Sequence, residues 1–304
     1  MRVFYSTPEA AGRIQNAVVT TGSFDGVHVG HKIIIGRLNE LARETGGESV
    51  LITFHPHPRK VLYPDQTDLK LINTQEEKIE LLGKAGLDNL IIIPFTLDFS
   101  RISSRQFVTD ILVGQLKARV VVIGHNHHFG HNREGDFSYL HTLGQQLDFL
   151  VEEIPLKDIE NETVSSTKIR RALLEGNIQR ANAYLDHQYI IQGTLGRGEG
   201  LPGLNGTPTS SLATPEPEKL IPPCGIYATN LRFQNSWMKA MGFILEGGDG
   251  NRRVEIQLLY DTLPAEAAEA TLYFYKRVMV SAPGATFPGS LVEEAREMVE
   301  DLIY

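Results

Sequence analysis

Two histidines three residues apart, His28 and His31, stand among Gly22, Gly26 and Gly30 in the stretch TGSFDGVHVGH (21–31). An apolar run, AVVTT (17–21), comes before it and a helix-period segment over 32–44 comes after. A helix N-terminus presents unpaired N–H groups and the positive end of the macrodipole, so it favours anions. Glycines let backbone approach a ligand closely, and imidazole N–H groups donate to phosphate oxygens. The chemistry expected here is phosphate binding. The plain alternative is that one histidine caps the helix while the other is solvated, and the position after a strand tips the reading toward phosphate. A second candidate is VSSTKIR (164–170), where Ser165, Ser166 and Thr167 precede Arg170 at an expected helix start. Side-chain hydroxyls, free N–H groups and a planar guanidinium make an anion site of the same kind. By itself, it also reads as Ser166 or Thr167 capping a surface helix.

A third cluster, HNHHFGH (125–131), places five ligand-capable side chains in seven residues. Such spacing in a loop rarely builds a tetrahedral metal site, and no Cys or acidic partner is near its first half. A dedicated metal site is disfavoured; an exposed or substrate-facing role is expected.

The elements that must hold these residues follow from periodicity. Apolar runs at 17–21, 49–54 (SVLITF), 90–94 (LIIIP) and 120–124 (VVVIG) alternate with helix-period segments at 32–44, 75–85, 104–116 and 167–185. Continuous rather than alternating apolarity suits strands covered on both faces, which predicts a doubly wound α/β domain with a parallel, Rossmann-like sheet. After Gly193 the texture changes. Residues 195–223 are rich in Gly, Pro, Ser and Thr, and strand-like pieces follow at 226–233, 254–260 and 270–274. Half-buried antiparallel strands are expected there, and the chain closes on a helix over 291–302 with Ser290 as its cap and Glu293 and Glu294 in its first turn. The domains are placed at 1–186 and 187–304.

At 304 residues the chain exceeds the usual size of one hydrophobic core. Its net charge of −8 argues against a nucleic-acid surface. The single cysteine, Cys224, excludes an intrachain disulfide and reads as a small filler beside a Pro-Pro turn. No signal peptide and no membrane span are expected, so the location is expected to be cytoplasmic and the assembly a monomer or weak homo-oligomer.

Five segments together carry a resemblance: GSFDGVHVGH (22–31), TFHPHP (53–58), PFTLDFSRISSRQFV (94–108), VVVIGHNHHFGHNREGD (120–136) and VSSTKIR (164–170). In order and spacing they resemble the bacterial bifunctional riboflavin kinase/FMN adenylyltransferase (FAD synthetase) family. The resemblance implies that the first domain transfers AMP from ATP to FMN and releases pyrophosphate, with Mg²⁺ and no protein nucleophile. It further implies that His28 and His31 meet the ATP phosphates, with Gly22, Phe24 and Gly30 shaping that pocket. Ser165, Ser166, Thr167 and Arg170 match the second phosphate segment. Phe54, Pro56, His57 and Pro58 match a flavin-side loop, and Asn126 a position associated with flavin and metal. Catalysis would then be positioning plus charge neutralisation by Mg²⁺, His28, His31 and Arg170.

In the same family the second domain is a barrel that phosphorylates riboflavin, using a Gly-Phe-Pro-Thr-Ala-Asn loop for ATP and Mg²⁺ and a downstream Glu as general base, so the resemblance implies a small antiparallel β-barrel for residues 187–304. Here GTPTSSL (206–212) keeps Thr209, but Thr207 replaces the Phe and Ser211 the Asn. VEIQLLYD (254–261) keeps Glu255. A serine lacks the reach and the amide of Asn. Two outcomes stay open: a degenerate module in which Glu255 survives only as a charge, or a working kinase run by Thr209 and Glu255. The missing segments favour lost or weakened kinase activity. A third possibility, a flavin- or nucleotide-binding regulator, is opposed by the presence of both anion segments.

Overall fold

The computed structural model describes residues 1–65, 69–124, 129–130, 134–154, 158–159, 162–203, 208–247, 250–260 and 268–303. The chain packs as two compact units, Met1–Leu69 with Lys78–Val164, and Lys70–Glu77 with Ser165–Tyr304.

The first unit holds β1 (Arg2–Phe4), α1 (Thr7–Ala10), β2 (Val18–Thr21), α2 (Val29–Glu44), β3 (Ser49–His55) and α3 (Pro58–Leu62). Helix α4 (Gln75–Lys84) has its first turn in the second unit. Then come β4 (Asn89–Pro94), α5 (Leu97–Ser100), α6 (Ser104–Gln106) running into a π-helix (Phe107–Gln115), β5 (Val120–Gly124), α7 (Phe137–Leu147) and β6 (Leu150–Ile154). A two-stranded ribbon, β7 (Asp158–Ile159) and β8 (Glu162–Thr163), follows. All neighbours in the six-stranded sheet, ordered β1-β4-β3-β2-β5-β6, run parallel. The expected apolar runs are its middle. Val19, Val50, Ile52, Ile91 and Val121 are buried on the sheet, and α2 covers it with Ile35 and Leu38, three residues apart on one helical face.

The second unit contains α8 (Ser166–Leu174), α9 (Ile178–Leu185), β9 (Tyr189–Arg197), β10 (Ser210–Ala213), β11 (Gly225–Phe233), β12 (Ser236–Glu246), β13 (Arg252–Leu258), β14 (Ala268–Val280) and α10 (Gly289–Leu302). Its strands form a closed antiparallel barrel in the order β10-β13-β12-β11-β14-β9, with β9 pairing back to β10. Closure removes free sheet edges. Helix α10 lays Val292, Ala295 and Val299 against Ile226, Phe243 and Phe287. Residues 70–77 join this unit through a buried ion pair, Glu77 with Lys219, whose side chains have no exposed surface. The Glu77 carboxylate also accepts from Asn73 Nδ2, the Thr74 N–H and the Gln192 N–H, so the buried charge is well satisfied. Removing one partner would cost about 3–5 kcal/mol.

Several expectations need correction. Helix α2 begins at Val29, not residue 32, because its first turn carries no apolar period to read. The expected helix over 167–185 is two helices. Gly176 breaks it at φ +76°, with Arg277 Nη1 2.6 Å from where a Cβ would lie, and Asn177 then caps α9 by accepting from the Arg180 N–H. Ser290 does not cap α10; Pro288 holds the cap position without a side-chain bond, and the helix starts at Gly289. Strand β13 stops at Leu258 rather than 260. Strands β1, β6, β9 and β12 carry no clear period and were not expected. Strand β9 is hidden by Gly193, which is glycine because a Cβ there would meet Ala213 O at 2.2 Å as β10 closes the barrel.

Candidate functional site

Strand β2 is central. From it the chain goes on to β3 and β4 on one side, where the earlier β1 pairs outside β4, and returns to place β5 and β6 on the other. The topological switch point therefore lies between β2 and β5, where open α/β sheets bind ligands beyond the strands' carboxyl ends. Residues 22–31 leave β2 at that point.

Their backbone is unusual. Phe24 (φ +46°) and Val27 (φ +43°) are left-handed without being glycine, and Gly26 (φ +97°) lies between them. A β-branched residue held there costs of order 1–3 kcal/mol, and such strain gathers at functional sites. The loop is pinned by the Gly22 N–H donating to Ile52 O (3.0 Å) and Thr53 Oγ1 donating to Ser23 O (3.3 Å). This conformation stacks three rings. His31 lies 4.3 Å from Phe24 and 3.6 Å from His28 between centroids, with interplanar angles of 22° and 16°. His28 holds the N-cap position of α2 but makes no side-chain cap, which removes the plain capping alternative. Gly22 and Gly30 are close-approach positions, since a Cβ would meet the Phe24 ring at 3.0 Å and the His28 ring at 3.3 Å.

His31 Nδ1 is enclosed and has no hydrogen-bond partner. Burial, then the neighbouring charges of His28 and Lys78, push His31 well below its ordinary value of 6.5. At neutral pH the ring is uncharged, with one nitrogen able to donate and the other to accept.

Beyond β3 and β4 an aromatic ladder flanks this end of the sheet. Phe54 meets Phe95 at 5.5 Å and Phe99 at 5.8 Å, and the contacts run on through Phe107 to Phe129. Pro56 is exposed, Pro58 opens α3, and His57 Nδ1 accepts from the Arg59 N–H (3.2 Å), so His57 caps that short helix. A cleft of about 460 Å³ opens beside Phe99, lined also by Pro8, Ile93, Ile102 and Asp110. Sequence reasoning assigned no role to Phe95, Phe99 or Phe107, although their spacing near the end of an apolar strand was a readable signal. Asn126, with His125, His127, His128 and His131, lies outside the described residues. Among the described residues no group of three or more His, Cys, Asp or Glu is arranged to hold a metal.

The second anion segment falls in the other compact unit. Ser165 caps α8 by accepting from the Lys168 N–H (3.3 Å), and Thr167 is exposed in the first turn. Arg170 Nε donates to Lys70 O (2.9 Å), which fixes the guanidinium against residues 70–77.

In the barrel, Thr209 and Glu255 are brought together. Thr209 Oγ1 donates to Glu255 Oε2 (2.6 Å) and accepts from the Gly200 N–H (3.1 Å), while the Glu199 N–H donates to Glu255 Oε1 (3.3 Å). Glu255 is fully buried. Burial raises its carboxyl above the ordinary value of 4.5, against the opposing pull of the Thr209 hydroxyl and the Arg253 charge. Gly198 is obligatory, because a Cβ would lie 2.2 Å from Thr209 Oγ1 and 2.4 Å from Glu255 Oε2. Ser211 Oγ donates to Arg197 O (3.3 Å). The sequence reading missed Gly198, Glu199 and Arg253; the i, i+2 spacing of Arg253 and Glu255 on a strand was the available signal.

Known proteins fit this two-part picture. The FAD synthetase family model matches residues 11–168 and the riboflavin kinase family model residues 185–278. A bifunctional riboflavin kinase/FMN adenylyltransferase of Listeria monocytogenes is 31% identical, covering 86% of this chain and 84% of its own length. The Pseudomonas fluorescens protein of the same name is 30% identical over 81% of this chain and 79% of its own, and that of Escherichia coli K12 is 29% identical over 71% and 68%. A crystal structure titled as a macrolide-efflux protein from Streptococcus pneumoniae shares the fold, with a TM-score of 0.84 at 22% identity over 99% of this chain and 97% of that one. No helix among the described residues is long and apolar enough to cross a membrane. By its two matched domains and its enzyme-named relatives, the chain belongs to the bifunctional riboflavin kinase/FMN adenylyltransferase family.

Proposed function

We propose that this chain catalyses both steps from riboflavin to FAD, rather than adenylyl transfer alone. The observation that carries the choice is the assembled Thr209–Glu255 pair, which survives the altered GTPTSSL loop. In the barrel, Glu255 takes the proton from the riboflavin 5′-hydroxyl as that oxygen attacks the γ-phosphorus of ATP, and ADP leaves. A carboxyl raised by burial is suited to that work near neutral pH. In the sheet domain, an FMN phosphate oxygen attacks the α-phosphorus of ATP in line and pyrophosphate leaves. His28 and His31 donate to the phosphates, and the strained loop with Gly22, Phe24 and Gly30 holds them in place. Phe54, Pro56 and Pro58 with the aromatic ladder serve the flavin side. Ser165, Ser166, Thr167 and Arg170 act as the second phosphate segment. The functional domains are residues 1–186 and 187–304.

Mg²⁺ suits the residues present. With no clustered acidic or imidazole ligands among the described residues, the ion would be carried by ATP phosphates, and the Thr209 hydroxyl is a hard oxygen donor of the kind it prefers. Bound there, it would neutralise charge on the phosphates. One feature favours adenylyl transfer alone: Ser211, standing where the family has Asn, is bonded to its neighbouring strand at Arg197 O. The test is to incubate the full chain with Mg²⁺-ATP and either riboflavin or FMN, and to separate the flavins by chromatography. FMN and FAD from riboflavin support bifunctionality. FAD from FMN with nothing from riboflavin restricts the chain to adenylyl transfer, and no product from either leaves a flavin- or nucleotide-binding protein.

A further inference from the structure

Lys78 is buried, with 6% of its surface exposed, although lysine is among the residues least often found inside a protein. It lies on α4, and the helix explains where its charge goes. Helices α2 and α4 are the crossovers from β2 to β3 and from β3 to β4, which are neighbouring parallel strands. Right-handed crossovers that step the same way across a sheet lie on one face of it and run in one direction. Asn39 Nδ2 donates to Ala85 O (3.4 Å), which ties the later part of α2 to the end of α4. A Cβ on Gly86 would sit 3.4 Å from the same Asn39 nitrogen, so the two segments are close there. His31 is eight residues before Asn39, and Lys78 seven before Ala85. At about 1.5 Å of rise per residue they lie about 12 and about 10 Å back along their helices, level with one another. The electrostatics agree: the neighbouring charges that act on the His31 ring are those of His28 and Lys78. Lys32, beside His31 in the chain, is not among them.

We propose that Lys78 is a further catalytic residue of adenylyl transfer: its ammonium group binds the phosphate chain of ATP beside His31 and holds the charge of the departing pyrophosphate. The proposal rests on residues 22–31 being the phosphate crevice of the function put forward above. That crevice needs a cation of its own. His31 is neutral and meets a phosphate only as a dipole, and Arg170 belongs to the other compact unit, where its Nε is given to Lys70 O. In the reaction a phosphate oxygen of FMN bonds to the α-phosphorus, the bond from that phosphorus to the bridging oxygen breaks, and its electron pair stays with pyrophosphate. No proton has to move. A lysine suits this work, being a compact charge with three donors that can follow the leaving oxygens, and a buried one acts where water does not screen it.

The test uses the full chain and runs adenylyl transfer backwards, with FAD and inorganic pyrophosphate giving FMN and ATP, so that nucleotide bound at the barrel does not enter the reading. In Lys78→Met the KM for pyrophosphate rises by about 10- to 10²-fold, the worth of a hydrogen bond to a charged group. The KM for FAD changes far less. In the forward direction, kcat for FAD formation falls by about 10²-fold, as loss of a preorganised donor does. Lys78→Arg keeps the charge and restores most of both. Methionine matches the length of the lysine stem, and an apolar group in place of a buried ion is often tolerated, so urea unfolding of each variant is followed alongside. A folded Lys78→Met protein whose KM for pyrophosphate is unchanged overturns the proposal. So does a Lys78→Met protein that fails to fold while Lys78→Arg folds, because the charge is then structural. His31→Ala separates this inference from the reading beneath it. Undiminished pyrophosphorolysis in His31→Ala removes the phosphate crevice and the role of Lys78 with it, whereas a loss there beside a normal Lys78→Met protein removes the role of Lys78 alone.

Discussion

At the end of β2, His31 is stacked between Phe24 and His28 with a buried nitrogen that meets no partner, on a loop held by left-handed Phe24 and Val27. In the barrel, both oxygens of Glu255 are already bonded, to Thr209 and to the Glu199 N–H, and Arg253 lies beside them. One site is polar-unsatisfied around a neutral ring; the other is charged and closed. A buried donor or acceptor left unmet costs about 1–3 kcal/mol, so under the proposed phosphate role the first site would gain that back when a phosphate arrives. The second has nothing to gain from a bare ligand and must exchange existing bonds. Under the proposed roles, binding energy is stored in the crevice beyond β2, whereas the barrel site stores alignment.

If that contrast is right, the two sites fail separately. Glu255→Gln should lower FMN formation from riboflavin by about 10²–10⁴-fold, the usual contribution of a positioned general base. FAD formation from supplied FMN should be unchanged. His31→Ala should do the reverse, lowering FAD formation by about 10²-fold, as loss of a preorganised donor does, while leaving riboflavin phosphorylation intact. Separate assays on the two substrates check this. A His31→Ala enzyme with near-normal FAD output would remove the phosphate role, and a Glu255→Gln enzyme that still phosphorylates riboflavin would remove the base.

Glycines sharpen the comparison at a smaller scale. Gly198→Ala puts a methyl group 2.2 Å from Thr209 Oγ1 and 2.4 Å from Glu255 Oε2, so the closed site must come apart. Kinase turnover should fall by at least about 10-fold, since misplacing a reacting group by an ångström costs up to about 10². Gly30→Ala meets only the edge of the His28 ring at 3.3 Å, which the ring can yield. Its cost should be about 10-fold or less on FAD formation, read mainly in KM for ATP. Equal losses at both positions would mean that the barrel site is no more tightly assembled than the crevice.

How far the sequence disclosed these two sites differs for a physical reason. The crevice is local: strand, glycine turn and helix start are contiguous, so AVVTT, His28 and His31 and the phosphate reading were visible together. The three-ring stack and the left-handed Val27 were not, because ring geometry and φ leave no mark on residue type. The barrel site is non-local. Gly198, Thr209, Arg253 and Glu255 come from three stretches joined only when β9, β10 and β13 pair, and β9 itself was masked by Gly193. Substitutions in the GTPTSSL loop were legible as losses, but the surviving Thr209–Glu255 bond needed the barrel's register to appear. The parallel sheet was readable from continuous apolar runs, while β12, with Lys239 and Gly242 inside it, was not.

Acidity offers the smallest and most direct contrast. His31 is held below its ordinary 6.5, so in the folded chain it stays neutral where the unfolded chain would take a proton. Its contribution to stability is present above about pH 6.5 and is lost as pH falls through the lowered folded value. Glu255 is held above its ordinary 4.5, so its contribution is present below that value and is lost as pH rises through the raised folded value. The two groups therefore tilt stability in opposite directions with pH. His31→Ala should flatten the loss of stability on acidification, and Glu255→Gln the loss on alkalinisation, in urea titrations run across that range. An anion bound beside His31 raises its proton affinity, so ATP binding near neutral pH should draw protons in. Calorimetry in buffers of different ionisation enthalpy measures that uptake, and it should vanish in His31→Ala. If it persists there unchanged, the proton goes elsewhere and His31 is not the group that meets the phosphates.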